Sequence, residues 1–343
     1  MPNSTLSTRR LIRGGMDLSI LGFGASSLGN LYQAMSDDDA TGVLKHALDL
    51  GIAYVDTAPH YGHGLSERRV GMVNPNVILS TKVGRVLKPI APPPPGTARH
   101  GFVDADPYEP HFDYSYDGVM QSFAASCGRL RREQVDIVFA HDLGALTHGA
   151  DHPAHLRAFL EGGFKALSEL KAAGRVRAIG LGVNEWQVCE EVMRHVDLDV
   201  VLLAGRYTLL DQTALDSFLP LCAQRNVNVV IGGPYNSGVL VDRDRYDYQS
   251  VPAKITARVA ELKIVCRAHG VPLAAAALQF ALGHPNVASV IPGMASQGEV
   301  DANLANIRQA IPAGLWDDLK SAGLLRADAP TLRATEASLR PIA

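Results

Sequence analysis

The feature that most constrains this chain is a steady alternation of short apolar strands with amphipathic helices. Each strand is too short to be a membrane span and is followed by a helix-length segment of 3.6-residue periodicity. That rhythm predicts βαβ units around a parallel sheet. A turn at Gly14-Gly15 is expected to fold Arg10 to Leu21 into an N-terminal hairpin, because paired glycines supply the positive φ such turns require. Strands are then expected at Leu21–Ala25, Ala53–Thr57, Val77–Val83, Val135–His141, Ala178–Val183, Val200–Ala204, Val227–Ile231 and Ala288–Ile291. Helices are expected at Asp38–Leu50, Ser66–Gly71, Tyr116–Leu130, Phe159–Ala173, Glu185–His195, Ala214–Arg225, Ala253–His269, Leu273–Leu282 and Gly298–Ile311.

Eight strands each followed by a helix is the count of an α/β (β/α)₈ TIM barrel. The competing architecture, an open doubly wound sheet, begins with a Gly-rich dinucleotide turn. Gly22, Gly24 and Gly29 do not form that pattern, so the barrel is preferred, with residues 1–343 as one domain. The chain has 343 residues, 47% hydrophobic and 20% charged, which suffices to bury a large core without staples. A net charge of −3 without basic blocks argues against a nucleic-acid or membrane-surface partner. No apolar run reaches membrane-spanning length, and the N-terminal MPNSTLSTRRLIRGG lacks the apolar core of a signal peptide. The four cysteines, Cys127, Cys189, Cys222 and Cys266, are far apart and read as reduced, buried thiols, so a cytoplasmic location is expected.

Two segments break the rhythm. Lys88 to Phe112 contains PIAPPPPG and DPYEP, and its proline density excludes helix and central strand. It follows strand three on the face where barrel sites lie, and is either a cover for a substrate pocket or an exposed connecting loop. Gly144 to His155 reads as a loop. Its histidines lack Cys or carboxylate partners at ligand spacing, so no metal is expected.

The chemistry concentrates at strand ends. Asp56 ends strand two, Tyr61 follows in its loop, Lys82 lies inside the apolar strand VILSTKVG and His141 ends VDIVFAH. A lysine in a buried strand requires a partner for its charge, and Asp56 on the neighbouring strand is the natural one. A tyrosine beside that ammonium is expected to have its pKa lowered from about 10 toward working pH, suiting it to proton transfer. His141 suits a hydrogen bond to a substrate oxygen. Each has a structural explanation alone: Asp56 as a turn cap, Tyr61 as a loop aromatic, Lys82 as half an ion pair, His141 as a barrel-end histidine. Their joint placement on successive strand ends is what points to chemistry.

These residues, with VDTAPHYGHGLSE and STKVGR around them, resemble the aldo-keto reductases from the hairpin to about Asn306. Within that superfamily, FDYSYDGVMQSF, IGLGVNEW, LLAGRYTLLDQ and GGPYNSGVL are most similar to the L-fucose and D-threo-aldose 1-dehydrogenases, with a pyridoxal 4-dehydrogenase as the alternative. The resemblance implies a tetrad of Asp56, Tyr61, Lys82 and His141 beside a nicotinamide held by Asn184. It further implies that Gly293 and Ser296 lie near phosphate or ribose, and Asn303 near adenine. The chain departs from the family where Ser often precedes the asparagine (Val183 here), at strand six (Ala204-Gly205) and where an aromatic often stacks on nicotinamide (Gly232). Members using NADP often carry Arg where Glu299 stands. A carboxylate there repels a 2′-phosphate and accepts hydrogen bonds from a ribose diol, so NAD is expected. A helix-start Glu favoured by the dipole is the other reading of Glu299.

The expectation is oxidation of an aldose at its anomeric carbon to a lactone, or of pyridoxal as its cyclic hemiacetal. General aldehyde or ketone reduction is a further possibility. From other classes, a barrel aldolase with Lys82 as Schiff base and a non-catalytic protein similar to channel-associated β subunits stand as rivals.

Overall fold

The computed structural model describes residues 6–332; residues 1–5, the start of the N-terminal stretch read above, and 333–343 lie outside it. The N-terminal hairpin pairs β1 (Thr8–Arg10) with β2 (Asp17–Ser19), with Gly14 and Gly15 at positive φ in its turn. It plugs the bottom of the barrel. Leu11, Met16 and Leu18 pack with the inward side chains Tyr54, Ile137, Phe139 and Val230 in a separate interior cluster. Arg9 fixes the plug by donating to the carbonyls of Leu282 and Val287, each at 2.7 Å.

The barrel is eight parallel strands: β3 (Phe23–Gly24), β4 (Tyr54–Asp56), β5 (Ile78–Val83), then β10 (Val135–His141), β11 (Val176–Val183), β12 (Val200–Ala204), β13 (Asn228–Gly232) and β14 (Val287–Ile291). Between β5 and β10 lie the four short antiparallel strands β6 (Arg85–Pro89), β7 (Ala98–Arg99), β8 (Phe102–Val103) and β9 (Tyr108–Phe112). The bridges Leu21↔Val290 and Gly24↔Gly293 join the first barrel strand to the last, so the eight strands form a nearly closed ring. Strands buried on both faces explain the apolar runs: inward residues fill the barrel and outward ones meet the helices.

Among the described residues no single helix is long and apolar enough to cross a membrane. All four cysteines are buried, free thiols.

One expectation needs correction. The stretch from Gly144 to His155 is not a loop but a run of short helical turns, Ala145–His148, Gly149–Asp151 and His152–Ala158, leading through a π-turn at Phe159–Gly163 into Phe164–Ala172. Pro153 in the first turn of His152–Ala158 is where a helix tolerates proline. The proline-rich stretch after β5 is a cover of two hairpins, β6 with β9 and β7 with β8. Pro89 and Pro110 are accommodated because this ribbon is two-stranded and open at its edges. A short helix, Ala313–Ser321, lies beyond the predicted elements.

Candidate active site

At the C-terminal ends of the barrel strands lies a cavity of about 1390 Å³. Asp56, Tyr61, Lys82 and His141 all line it, as does each residue assigned above to the cofactor: Asn184, Gly293, Ser296, Glu299 and Asn303.

The register of β4 on β5 brings the four chemistry-bearing groups together. Asp56 pairs with Ser80, two residues before Lys82, so both charged side chains point into the barrel mouth. Lys82 Nζ donates to Asp56 Oδ2 at 2.7 Å and to the Thr57 carbonyl at 2.9 Å, and Ser80 Oγ donates to Asp56 Oδ1 at 2.6 Å. Lys82 is 1% and Asp56 2% exposed, so each charge depends on the other. The lysine stem has room because Gly182 faces it from β11; a Cβ there would come within 3.3 Å of Lys82 Cε.

Tyr61 is held by a backbone interlock. Gly29 packs so closely on the Tyr61–Gly62 peptide that a Cβ would lie 2.5 Å from the Tyr61 carbonyl carbon, and Gly62 adopts φ +65°. The Tyr61 ring then lies edge-on to His141, with ring centroids 6.0 Å apart, and Lys82 Nζ is 4.6 Å from its centroid.

The electrostatics correct one expectation. Burial pushes the Tyr61 phenol well above its usual value, and the Asp56 and Asp142 carboxylates push it further. The Lys82 ammonium, shared with Asp56 and facing the ring, favours the phenolate but does not outweigh burial and the carboxylates. Tyr61 is therefore a phenol at working pH. Burial, with Arg85 and Lys82, holds His141 well below the usual imidazole range, and His60 is lowered by burial, Arg85 and His141. Both are neutral rings. Burial also raises the Asp56 carboxyl, an effect that Lys82 and Ser80 oppose.

Some residues of the site escaped the sequence reading. Asp142, directly after His141, accepts from Arg85 at 2.6 Å and from Asn184 Nδ2 at 3.2 Å. The signal was present as a second polar residue ending an apolar strand. His60, Phe102, Tyr32 and Tyr248 also line the cavity, and Phe102 and His100 come from the β7–β8 hairpin. The proline-rich segment is thus a cover, not an exposed linker.

At the far end, Ser296 caps the helix Gln297–Arg308, accepting from the Glu299 amide at 3.2 Å. Glu299 accepts from the Ala295 amide at 2.9 Å and is ion-paired with Arg243 at 2.5 Å, a partner the sequence does not display. Asn303 is buried; its Oδ1 accepts from Tyr235 and its Nδ2 donates to the Glu299 carbonyl, which leaves one N–H to offer a ligand.

These residues fit a nicotinamide dinucleotide. The donor set passes from the quartet through the Asn184 amide to Ser26, Ser27 and Ser296 hydroxyls around Gly293, a mainly neutral row suited to a pyrophosphate and two riboses. Among the described residues no group of three or more His, Cys, Asp or Glu side chains is arranged to hold a metal ion.

Comparison with known proteins bears on family and fold. A model of the aldo/keto reductase family matches residues 20–323. The chain is 41% identical over 333 residues to a pyridoxal 4-dehydrogenase of Microbacterium luteolum, covering 92% of this chain and 97% of that protein. It is 37% identical over 323 residues to a D-threo-aldose 1-dehydrogenase of a Pseudomonas species, covering 91% and 96%. In fold it is similar to an aldo-keto reductase from Bacillus halodurans in its holo form, with a TM-score of 0.73, 24% identity and coverage of 96% and 99%.

Proposed function

The chain belongs to the aldo/keto reductase family, whose members are nicotinamide-dependent oxidoreductases, and from that premise we propose that it oxidises a cyclic hemiacetal to a lactone with NAD. An aldose of the L-fucose or D-threo type, attacked at the anomeric carbon, is the substrate class we favour. The observation that carries the reading is the Tyr61–His141 pair above the buried Lys82–Asp56 ion pair, in one cavity with Glu299.

In this reaction the substrate hydroxyl sits between Tyr61 and His141. The neutral His141 ring holds its oxygen. Tyr61, deprotonated, takes the hydroxyl proton as the C–O bond becomes C=O; a nicotinamide, when bound, would supply the acceptor for the hydride leaving the same carbon. The Lys82 ammonium favours the transient phenolate. Asn184 offers amide groups to the nicotinamide carboxamide, and Glu299 offers carboxylate oxygens to the adenosine ribose diol. The intact Asp56–Lys82 pair disfavours a Schiff-base aldolase, because a paired ammonium stays protonated.

A second reading has specific support. The pyridoxal 4-dehydrogenase relative is more similar than the aldose one, and pyridoxal also forms a cyclic hemiacetal whose oxidation gives a lactone. A third relative is named an L-galactose dehydrogenase, from Arabidopsis thaliana, at 28% identity. The test is a screen with NAD against L-fucose, D-arabinose, L-galactose, pyridoxal and simple aromatic alcohols, read by NADH absorbance with lactone identified in the product. Turnover confined to hemiacetals supports the reading. Turnover only of open-chain carbonyls in the reductive direction, or none at all despite tight dinucleotide binding, overturns it.

A further inference from the structure

Asp142 closes β10 immediately after His141, with φ +51°, a conformation that only a few non-glycine residues tolerate. Its backbone is anchored: its amide donates to the Gly182 carbonyl at 2.9 Å, and the Tyr114 hydroxyl reaches its carbonyl at 3.1 Å and that of His141 at 2.6 Å. The side chain is therefore not needed to hold the strand end. It is nevertheless a buried carboxylate, an expensive group to keep without a task.

Three groups converge on it. Oδ2 accepts from Arg85 at 2.6 Å and lies 3.5 Å from His141 Nε2, while Oδ1 accepts from Asn184 Nδ2 at 3.2 Å. An ionised carboxylate can only accept, so the Asn184 amide must turn its NH₂ toward Asp142. That settles which way the amide faces and leaves its oxygen and one N–H for a partner in the cavity. Arg85 belongs to β6, the first strand of the cover, and its guanidinium lies 4.4 Å from the centroid of the Phe112 ring on β9. Arg85 and Asp142 thus join the cover to the same amide.

We propose that Asp142 is a positioning residue for the dinucleotide, fixing the Asn184 amide toward the nicotinamide carboxamide, and that its ion pair with Arg85 makes this orientation depend on the β6–β9 cover. The inference rests on the dinucleotide reading of the cavity given above. It also supplies what Val183 does not: the amide is set by a carboxylate across the strand gap instead of by a hydroxyl beside it.

The experiment is a double-mutant cycle on NAD affinity, measured by calorimetry with full-length protein and no substrate. Asp142→Ala should weaken NAD binding about tenfold in the wild-type background, but by less than about twofold once Asn184→Ala is present. Arg85→Met should weaken it by about three- to fivefold, again only while Asn184 is intact. If Asp142→Ala does not fold, the Arg85→Met and Asn184→Ala cycle decides alone, since the carboxylate is retained. Additive losses, or NAD affinity unchanged in the single variants, would overturn the proposal. Because binding is read without substrate, the outcome is separate from whether a hemiacetal is the compound oxidised.

Discussion

The Lys82 ammonium lies over the Tyr61 ring, 4.6 Å from its centroid, while donating to Asp56 at 2.7 Å. The lysine is thus a charge held under the phenol by a carboxylate that has its own claim on it. In the proposed reaction Tyr61 exchanges the proton with substrate, so Tyr61→Phe should lower kcat at least about 10³-fold, within the range of general acid–base contributions. NAD affinity should change by less than about twofold, since the phenol oxygen is asked only to meet substrate. Steady-state kinetics paired with calorimetry checks both halves; a turnover loss under tenfold would remove Tyr61 from the proton-transfer role.

Removing the lysine exposes the other half of the relationship. Lys82→Met leaves the Asp56 carboxyl buried with only Ser80 donating to it, and breaking such a pair costs about 3–5 kcal/mol. Burial already raises this carboxyl, so it can take up a proton and the cost should fall at the lower end. The Lys82→Met, Asp56→Asn double variant should regain much of the stability yet none of the activity. Denaturant unfolding and turnover measured side by side separate the two; recovery of activity in the double variant would contradict the role given to the lysine.

The pH dependence of oxidation follows from which groups titrate. Tyr61 is raised and must lose its proton before it can accept one from substrate. His141 and His60 are lowered and stay neutral throughout the physiological range. Log kcat/KM for oxidation should therefore climb with a slope of about one between pH 6 and 9, without the break near 6.5 that an ordinary histidine would add. A pH–rate profile with an acid-side inflection near 6.5 would show that His141 titrates in the working range after all.

Histidines whose values are lowered in the fold link stability to pH. His63, His148 and His284 are pulled down to about 4, chiefly by burial, and His60 and His141 are also lowered. A depressed folded-state value means the unfolded chain binds more protons below 6.5, so their contribution is present above that pH and is lost as pH falls toward 4. Thermal unfolding at constant ionic strength should give a Tm at pH 5 at least about 5 °C below that at pH 7.5. A flat Tm across this window would contradict the neutral, buried state assigned to these rings.

What was legible in the sequence was whatever depends on local period. The eight strands, the hairpin turn at Gly14-Gly15 and the strand-end placement of Asp56, Lys82 and His141 follow from apolar spacing and turn chemistry. What was not legible depends on partners distant in sequence. Arg85 meets Asp142 across 57 residues, and Arg243 meets Glu299 across 56. Neither pairing leaves a trace in the spacing of either residue. The Tyr61 phenol was misjudged for the same reason: its sign is set by how deeply it is buried and by two carboxylates, whereas the sequence displays only that a lysine is near. The turns from Ala145 to Ala158 were missed because Gly, His and Asp dilute the apolar period, although Pro153 marks a helix start.

On the reading proposed above, cofactor choice would turn on the Arg243–Glu299 pair. The two are 2.5 Å apart, Arg243 is 57% exposed and Glu299 also accepts from the Ala295 amide, so the carboxylate is fixed while the guanidinium is held by it. A 2′-phosphate entering here would meet the carboxylate's negative charge and would have to win Arg243 from a partner already in place. NAD should therefore be preferred in kcat/KM. Glu299→Ala removes the repulsion and releases Arg243 for bidentate pairing with phosphate, which predicts a shift toward NADP of about tenfold. Arg243→Ala added to it should cancel most of that gain, because the phosphate then loses its cation as well. Comparing kcat/KM for the two cofactors in the wild type, the single and the double variant checks the argument. A wild type that prefers NADP would mean that Arg243, not Glu299, reads the ribose in the intact protein.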